Sequence, residues 1–69
     1  MFDFEVTERI AILSSTGAGY SLELNKVAYN GNPSKLDLRK WKDGKPLKGV
    51  TLSDDEARSL LDALLKLEV

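Results

Sequence analysis

At Ser53 the spacing of apolar residues along this chain changes. Before it, apolar side chains recur at alternate positions in short runs broken by glycine, asparagine and proline. After it, Ala57, Leu60, Leu61, Leu64, Leu65 and Leu67 recur at intervals of three and four. Alternation marks strands and the longer interval marks a helix, because side chains change sides at every residue of a strand but return about every 3.6 residues of a helix. A chain that makes this switch once, near its end, is expected to fold as α+β, with several strands ahead of a single C-terminal helix.

Four strands are expected. The first runs from Phe2 to Ser14, with Phe2, Phe4, Val6, Ile10 and Ile12 set against Asp3, Glu5, Thr7 and Arg9, and Ser15-Thr16-Gly17-Ala18-Gly19 then turns the chain. That glycine-containing run lacks the Gly-Lys-Ser/Thr ending of a phosphate loop. The second strand, Tyr20 to Asn30, places Leu22 and Leu24 on one parity and Val27 and Tyr29 on the other. Either a bulge near Asn25-Lys26 shifts its phase, or the strand ends at Asn25. Asn30-Gly31-Asn32-Pro33-Ser34 reverses the chain into a third strand, Lys35 to Lys42. Leu36 and Leu38 face inward there, which sends Asp37, Arg39 and Trp41 to the other side. A turn at Asp43-Gly44-Lys45-Pro46 leads to a short fourth strand, Gly49 to Leu52, with Val50 and Leu52 inward. An antiparallel meander in one domain, residues 1–69, is the simplest connection of these parts.

Ser53-Asp54-Asp55-Glu56 has the form of a capping box, so the helix is expected to begin at Asp54. At ~100° per residue its apolar positions sweep an arc of about 160°, wider than the roughly 100° that one packing contact needs. Leu60, Leu61, Leu64, Leu65 and Leu67 are therefore expected to meet a second copy of the chain in a symmetric dimer, unless the small core consumes the whole stripe. A second copy would also help stability. The chain has 69 residues and no cysteine, and it therefore lacks a disulfide to compensate for a small core.

The absence of histidine and cysteine also removes the usual metal ligands, nucleophile and neutral-pH proton shuttle. No enzyme, no cofactor, no metal and no small-molecule substrate are expected. Asp54, Asp55 and Glu56 are the densest carboxylates, but a helix start accounts for them. The opening MFDFEVTE lacks a basic leader and no apolar run is long enough to span a bilayer, so a cytoplasmic location without membrane contact is expected.

The formal charge of −1 conceals a strong segregation. Residues 26–48 hold seven lysines and arginines against two aspartates, a net +5, while residues 1–25 and 49–69 carry −3 each. Lys26, Lys35, Arg39, Lys40, Lys42, Lys45 and Lys48 either keep a turn and a sheet face soluble or hold a polyanion. Trp41 among them either fills an interface or stacks a base, since unpaired bases gain roughly 1 to 3 kcal/mol each on aromatic rings. Asp37, two residues from Arg39 on the same face, is expected to orient its guanidinium. Tyr29 and Tyr20 are weaker stacking candidates, and either would serve equally to cap the core with its hydroxyl in water.

Four segments carry a family likeness: FEVTERIAILS, GYSLELNKVAYN, LDLRKW, and KGVTLS followed by an acidic helix start. In their order and spacing the chain resembles the C-terminal domain of the transcriptional coactivator family called positive cofactor four, especially its small stand-alone bacterial members. The resemblance implies a ββββα protomer with a curved sheet, a homodimer built largely through the helices, and binding of single-stranded DNA with little sequence preference. By position, Arg39 matches the family's DNA-contacting strand arginine, Trp41 falls at or beside its stacking aromatic, and Lys48-Gly49 matches the pair leading into the fourth strand. Lys45 lies in the corresponding basic loop. The first hairpin, LSSTGAGYS, lacks the basic and aromatic residues of the eukaryotic proteins, so contacts from that turn are not implied. Nor does a coactivator role follow, because the eukaryotic regulatory extension has no counterpart here.

The expected function is single-stranded DNA binding in transcription or DNA metabolism. Lys26, Lys45 and Lys48 would contact phosphates, Arg39 would anchor the backbone, Trp41 with Tyr29 and, more weakly, Tyr20 would stack bases, and Gly49 joins the binding residues through the resemblance. Two alternatives stand beside it: a protein-interaction module using the leucine-rich helix or a strand edge, and a single-stranded RNA binder.

Overall fold

A computed structural model describes residues 4–67, so the part of the expected first strand at Phe2 and Asp3 lies outside the described residues. Four strands, β1 (Phe4–Ser15), β2 (Tyr20–Tyr29), β3 (Lys35–Lys42) and β4 (Lys45–Leu52), precede one helix, α1 (Asp54–Lys66). The strands form a single antiparallel meander in the order β1-β2-β3-β4. The expected α+β architecture is thus the observed one. No helix among the described residues is long and apolar enough to cross a membrane.

Each turn uses residues suited to its backbone. Asn30 and Gly31 both have positive φ, as do Asp43 and Gly44, the left-handed conformation that glycine, asparagine and aspartate tolerate best. Asp43-Gly44 alone closes the β3–β4 hairpin, with Lys42 paired to Lys45. The fourth strand therefore begins at Lys45 rather than Gly49, and Lys45-Pro46 belong to a strand instead of a turn. Pro46 is tolerated because β4 is an edge strand.

Two expectations about phase are corrected. The pairing of β2 with β3 is unbroken from Tyr20 opposite Lys42 to Val27 opposite Lys35, so β2 has no shift near Asn25-Lys26. Leu22 and Leu24 simply lie on one face, and Val27 and Tyr29 on the other. The irregularities lie in β1, whose pairing with β2 skips Thr7, Ile10 and Leu13. Each skip reverses the parity of the residues beyond it, so β1 does not keep one apolar face as simple alternation suggested.

The location of burial is corrected as well. Leu22, Leu24, Leu36 and Leu38 share the face expected to form the core, yet all four are only half-buried. The most buried side chains, Val27, Trp41, Asn25, Asp37 and Glu23, belong to the opposite face. The reason is the helix. Among the described residues it touches only β3 and β4, none of its residues is buried, and Leu61 and Leu65 are 54% and 66% exposed.

The helix itself starts as expected. Ser53 caps it, the Ser53 hydroxyl accepting from the Glu56 amide at 3.2 Å while the Ser53 amide donates to the Glu56 carboxylate at 2.8 Å. Those bonds from Ser53 hold the Glu56 carboxyl below its ordinary pKa. The chain exposes 5392 Å², whereas a monomeric globular protein of 7.6 kDa would expose about 4,300 Å². Its radius of gyration, 13.0 Å, likewise exceeds the roughly 11 Å expected for this length.

Candidate functional site

The sheet face turned away from the leucines holds a cavity of about 730 Å³, open to solvent and lined by Phe4, Val6, Arg9, Tyr29, Arg39, Trp41 and Pro46. Register assembles it. Phe4 pairs with Tyr29 and Val6 with Val27, and the skip at Thr7 then brings Arg9 opposite Asn25 on this same face. Across the sheet, Glu23 opposes Arg39 and Ser21 opposes Trp41, while Pro46 opposes Trp41 from β4.

Arg39 is held from several sides. Its Nε and Nη2 donate to the two carboxylate oxygens of Asp37, each at 2.9 Å, so the pair is bidentate. Nη2 also donates to the Tyr29 hydroxyl at 2.9 Å, and Nη1 donates to the Leu47 carbonyl at 2.7 Å. Asp37 is fully buried and accepts a further, longer bond from Thr51 at 3.4 Å. The hydrogen bonds to Asp37 raise the Arg39 pKa above its ordinary value, against the opposing effect of burial. The expected orienting role of Asp37 is therefore seen. It leaves Arg39 with one N–H, on Nη1, for a ligand.

Gly49 belongs to the same arrangement. It pairs directly with Arg39, and a Cβ there would stand 2.5 Å from the Arg39 Cβ and 2.7 Å from the Leu38 carbonyl oxygen. Only glycine lets β4 pass that close.

Three rings line the cavity. Phe4 meets Tyr29 edge-on with centroids 5.3 Å apart, and Trp41 at 6.3 Å with the rings inclined by 48°. The Arg39 guanidinium lies 5.3 Å from the Phe4 centroid, and that of Arg9 lies 6.0 Å from the Trp41 ring. Trp41 is on the face opposite the leucines, as its parity requires, but it is 5% exposed rather than open. It is the floor of the cavity, and its Nε1 is buried without a hydrogen-bond partner among the described residues.

The other expected site residues separate into two groups. Lys45 and Lys48 are exposed on β4, next in sequence to the cavity's Pro46 and to Gly49. Leu47 and Lys48 together oppose Lys40, a bulge that turns the edge strand here. Lys26 and Tyr20 do not join the cavity. Both are of the leucine-face parity in β2, which places Lys26 on the side opposite Tyr29. Tyr20 lines a separate cavity of about 360 Å³ with Ser14, Thr16, Leu22 and Lys40, and the Lys42 ammonium lies 4.4 Å from its ring.

Phe4 and Arg9 were missed from the sequence. Phe4 reads as an ordinary core residue of an alternating strand, and Arg9 as the polar partner of that alternation. Arg9 is also the single cation of an acidic segment. Its side chain is 70% exposed and is held by one 3.2 Å ion pair to Glu23, which in turn accepts from Ser21 and Asn25. Among the described residues no cluster of acidic side chains gathers to hold a metal ion. The chemistry on offer is that of flat apolar rings flanked by two guanidinium groups, a combination that suits a planar and anionic ligand.

No family model matches the chain. It is 45% identical over 65 residues to an uncharacterized protein of Treponema pallidum (strain Nichols), a match covering 91% of this chain and 76% of that protein. The chain belongs to the same family as that protein.

Proposed function

We propose that this chain is a homodimeric single-stranded DNA-binding protein with little sequence preference, as its resemblance to the positive cofactor four family implies. The observation that carries the proposal is the cavity on the open sheet face, where three aromatic rings and two arginines converge. Unpaired bases present flat apolar faces, and the strand joining them presents a phosphate at each step. Phe4 and Tyr29 supply ring surface, Trp41 supports them from below, and Arg9 with the remaining Arg39 donor meets phosphate. Lys45, opposite Lys42, and Lys48, next to Gly49, have leucine-face parity, but they lie on the edge strand β4, where their charge extends along the open edge. Neither Lys26 nor Tyr20 belongs to this path, since both have the opposite parity.

The dimer is supported by the other side of the molecule. Four exposed leucines lie on α1 and a fifth, Leu67, at its C-cap, and four half-buried leucines lie on the leucine face of the sheet. The surface in excess of that expected for a monomer of this size is roughly 1,100 Å², enough for the approximately 800 Å² per partner of a stable interface. A second copy covering that side would leave the aromatic cavity of each chain open.

A titration of fluorescent oligonucleotides, comparing single-stranded DNA, single-stranded RNA and duplex DNA at several salt concentrations, tests the proposal. Tighter binding to single-stranded DNA, with affinity falling steeply as salt rises, is the expected outcome. Equal or tighter binding to RNA would make the chain an RNA binder. No binding to any of the three would return it to a protein-interaction role centred on the leucines.

A further inference from the structure

The cavity wall has an imbalance of hydrogen-bonding groups that ring stacking does not use. Three of its lining side chains are donors: Arg9, Arg39 and the indole of Trp41. The acceptors nearby are already engaged. Asp37 takes both Arg39 bonds, Glu23 takes Arg9, Asn25 and Ser21, and the Tyr29 hydroxyl is bonded by Arg39 and shared with Thr51. Trp41 Nε1 is buried and has no acceptor among the described residues. A buried donor left unmade is costly, and a ligand that brings an acceptor to it recovers much of that cost.

We propose that the cavity receives one unstacked nucleobase and, of the two pyrimidines, favours thymine, with its O4 carbonyl accepting from Trp41 Nε1. This inference rests on the single-stranded DNA reading and adds a base preference to it. Cytosine carries an amine where thymine carries its second carbonyl, and that amine would set donor against donor on this wall. Adenine likewise carries an amine beside N7, whereas guanine offers O6 and N7 as acceptors, so the preference argued here is between the two pyrimidines. Nε1 is covered in the free protein, so the base reaches it as neighbouring side chains move aside. Arg9 is the freest of them, being 70% exposed and tethered by the single ion pair to Glu23. Its release from Glu23 would at the same time direct a cation toward the phosphate of the incoming nucleotide. One direct hydrogen bond gained and one donor conflict avoided amount to a modest preference, roughly three- to tenfold in affinity. Such a preference is compatible with phosphate contacts that are blind to sequence.

The chain has one tryptophan, so its indole N–H gives one resonance in a ¹⁵N-correlated proton spectrum. Oligo-dT and oligo-dC of equal length, both pyrimidine strands, are titrated into the full chain. The inference expects the indole proton to move downfield with oligo-dT, to move less with oligo-dC, and oligo-dT to bind about three- to tenfold tighter. Replacing the Trp41 indole by the isosteric benzothiophene removes the donor while keeping the ring, and it should erase the difference between the two strands by weakening oligo-dT more than oligo-dC. Binding of both strands with equal affinity, or an unmoved indole proton, overturns the base preference and leaves single-stranded DNA binding standing. Failure of the unmodified protein to bind either strand overturns the underlying reading, and the base preference with it.

Discussion

The two faces of this sheet invert the usual relation between hydrophobicity and burial. One face carries Leu22, Leu24, Leu36 and Leu38 and is only half-covered. The other carries Asn25, Asp37, Glu23 and Arg39, and it contains the most buried side chains among the described residues. On the polar face, burial comes from large side chains lying over the sheet: Trp41, Phe4 and the two arginines cover the groups beneath them, and the buried carboxylates are hydrogen-bonded. Burial of that kind is completed within one chain. The leucine face has nothing comparable, because α1 touches only β3 and β4. The difference teaches that the chain finishes its polar site by itself but not its apolar core, which the proposed second copy would complete.

The largest effect should come from breaking the leucine side. In the proposed dimer Leu64→Asp would remove an apolar contact twice across a two-fold interface, so that dimer should weaken by about 3 to 6 kcal/mol. Sedimentation at micromolar concentration would then show monomer where the parent chain shows dimer. A parent chain already monomeric at that concentration would mean that the leucines serve some other partner. The next effect belongs to the polar face. Asp37→Ala strands the largely buried Arg39 charge and should cost about 3 kcal/mol in urea unfolding. A loss well under 1 kcal/mol would show that the Leu47 carbonyl and Tyr29 hydroxyl suffice to hold the guanidinium. Gly49→Ala comes third, at about 2 kcal/mol, since its Cβ would overlap Arg39 and the Leu38 carbonyl. An unchanged unfolding midpoint would mean that β4 shifts freely at this edge.

How legible these faces were in the sequence varied with the kind of signal. β3 could be read to its end residues, because Leu36 and Leu38 alternate cleanly with Asp37, Arg39 and Trp41, and the Asp37–Arg39 pair followed from that alternation. The capping box at Ser53 and Glu56 is local chemistry and was equally plain. The skips in β1 were not legible. A residue dropped from pairing leaves no periodic trace among Glu8, Arg9, Ile10 and Ala11, and its consequence, Arg9 on the face of Phe4 and Val6, depends on the partner strand. The start of β4 had a signal that was read too broadly. Asp43-Gly44 is a two-residue hairpin turn by composition, but Pro46 made Lys45-Pro46 look like a continuation of it. That Trp41 is covered could not follow from its parity, because parity gives the face of a strand and not what lies over it.

The smallest prediction separates the function of the polar face from its stability. Arg9 is highly exposed and its pairing with Glu23 is a single 3.2 Å contact, and such pairs contribute between about 0 and 1 kcal/mol. Arg9→Ala should therefore leave the urea midpoint nearly unchanged. If Arg9 meets a phosphate, however, the same change should weaken oligo-dT binding by about 1 kcal/mol at low salt. It should also reduce the slope of log K against log salt by about 0.7, the counterion release of one single-strand phosphate contact. Asp37→Ala should produce the contrary pattern, with a large change in unfolding accompanied by a change in binding only because Arg39 and its neighbours lose their positions. A salt slope unaffected by Arg9→Ala would remove this arginine from the DNA path and leave the phosphate contacts to Lys45 and Lys48, on the β4 edge rather than across the cavity.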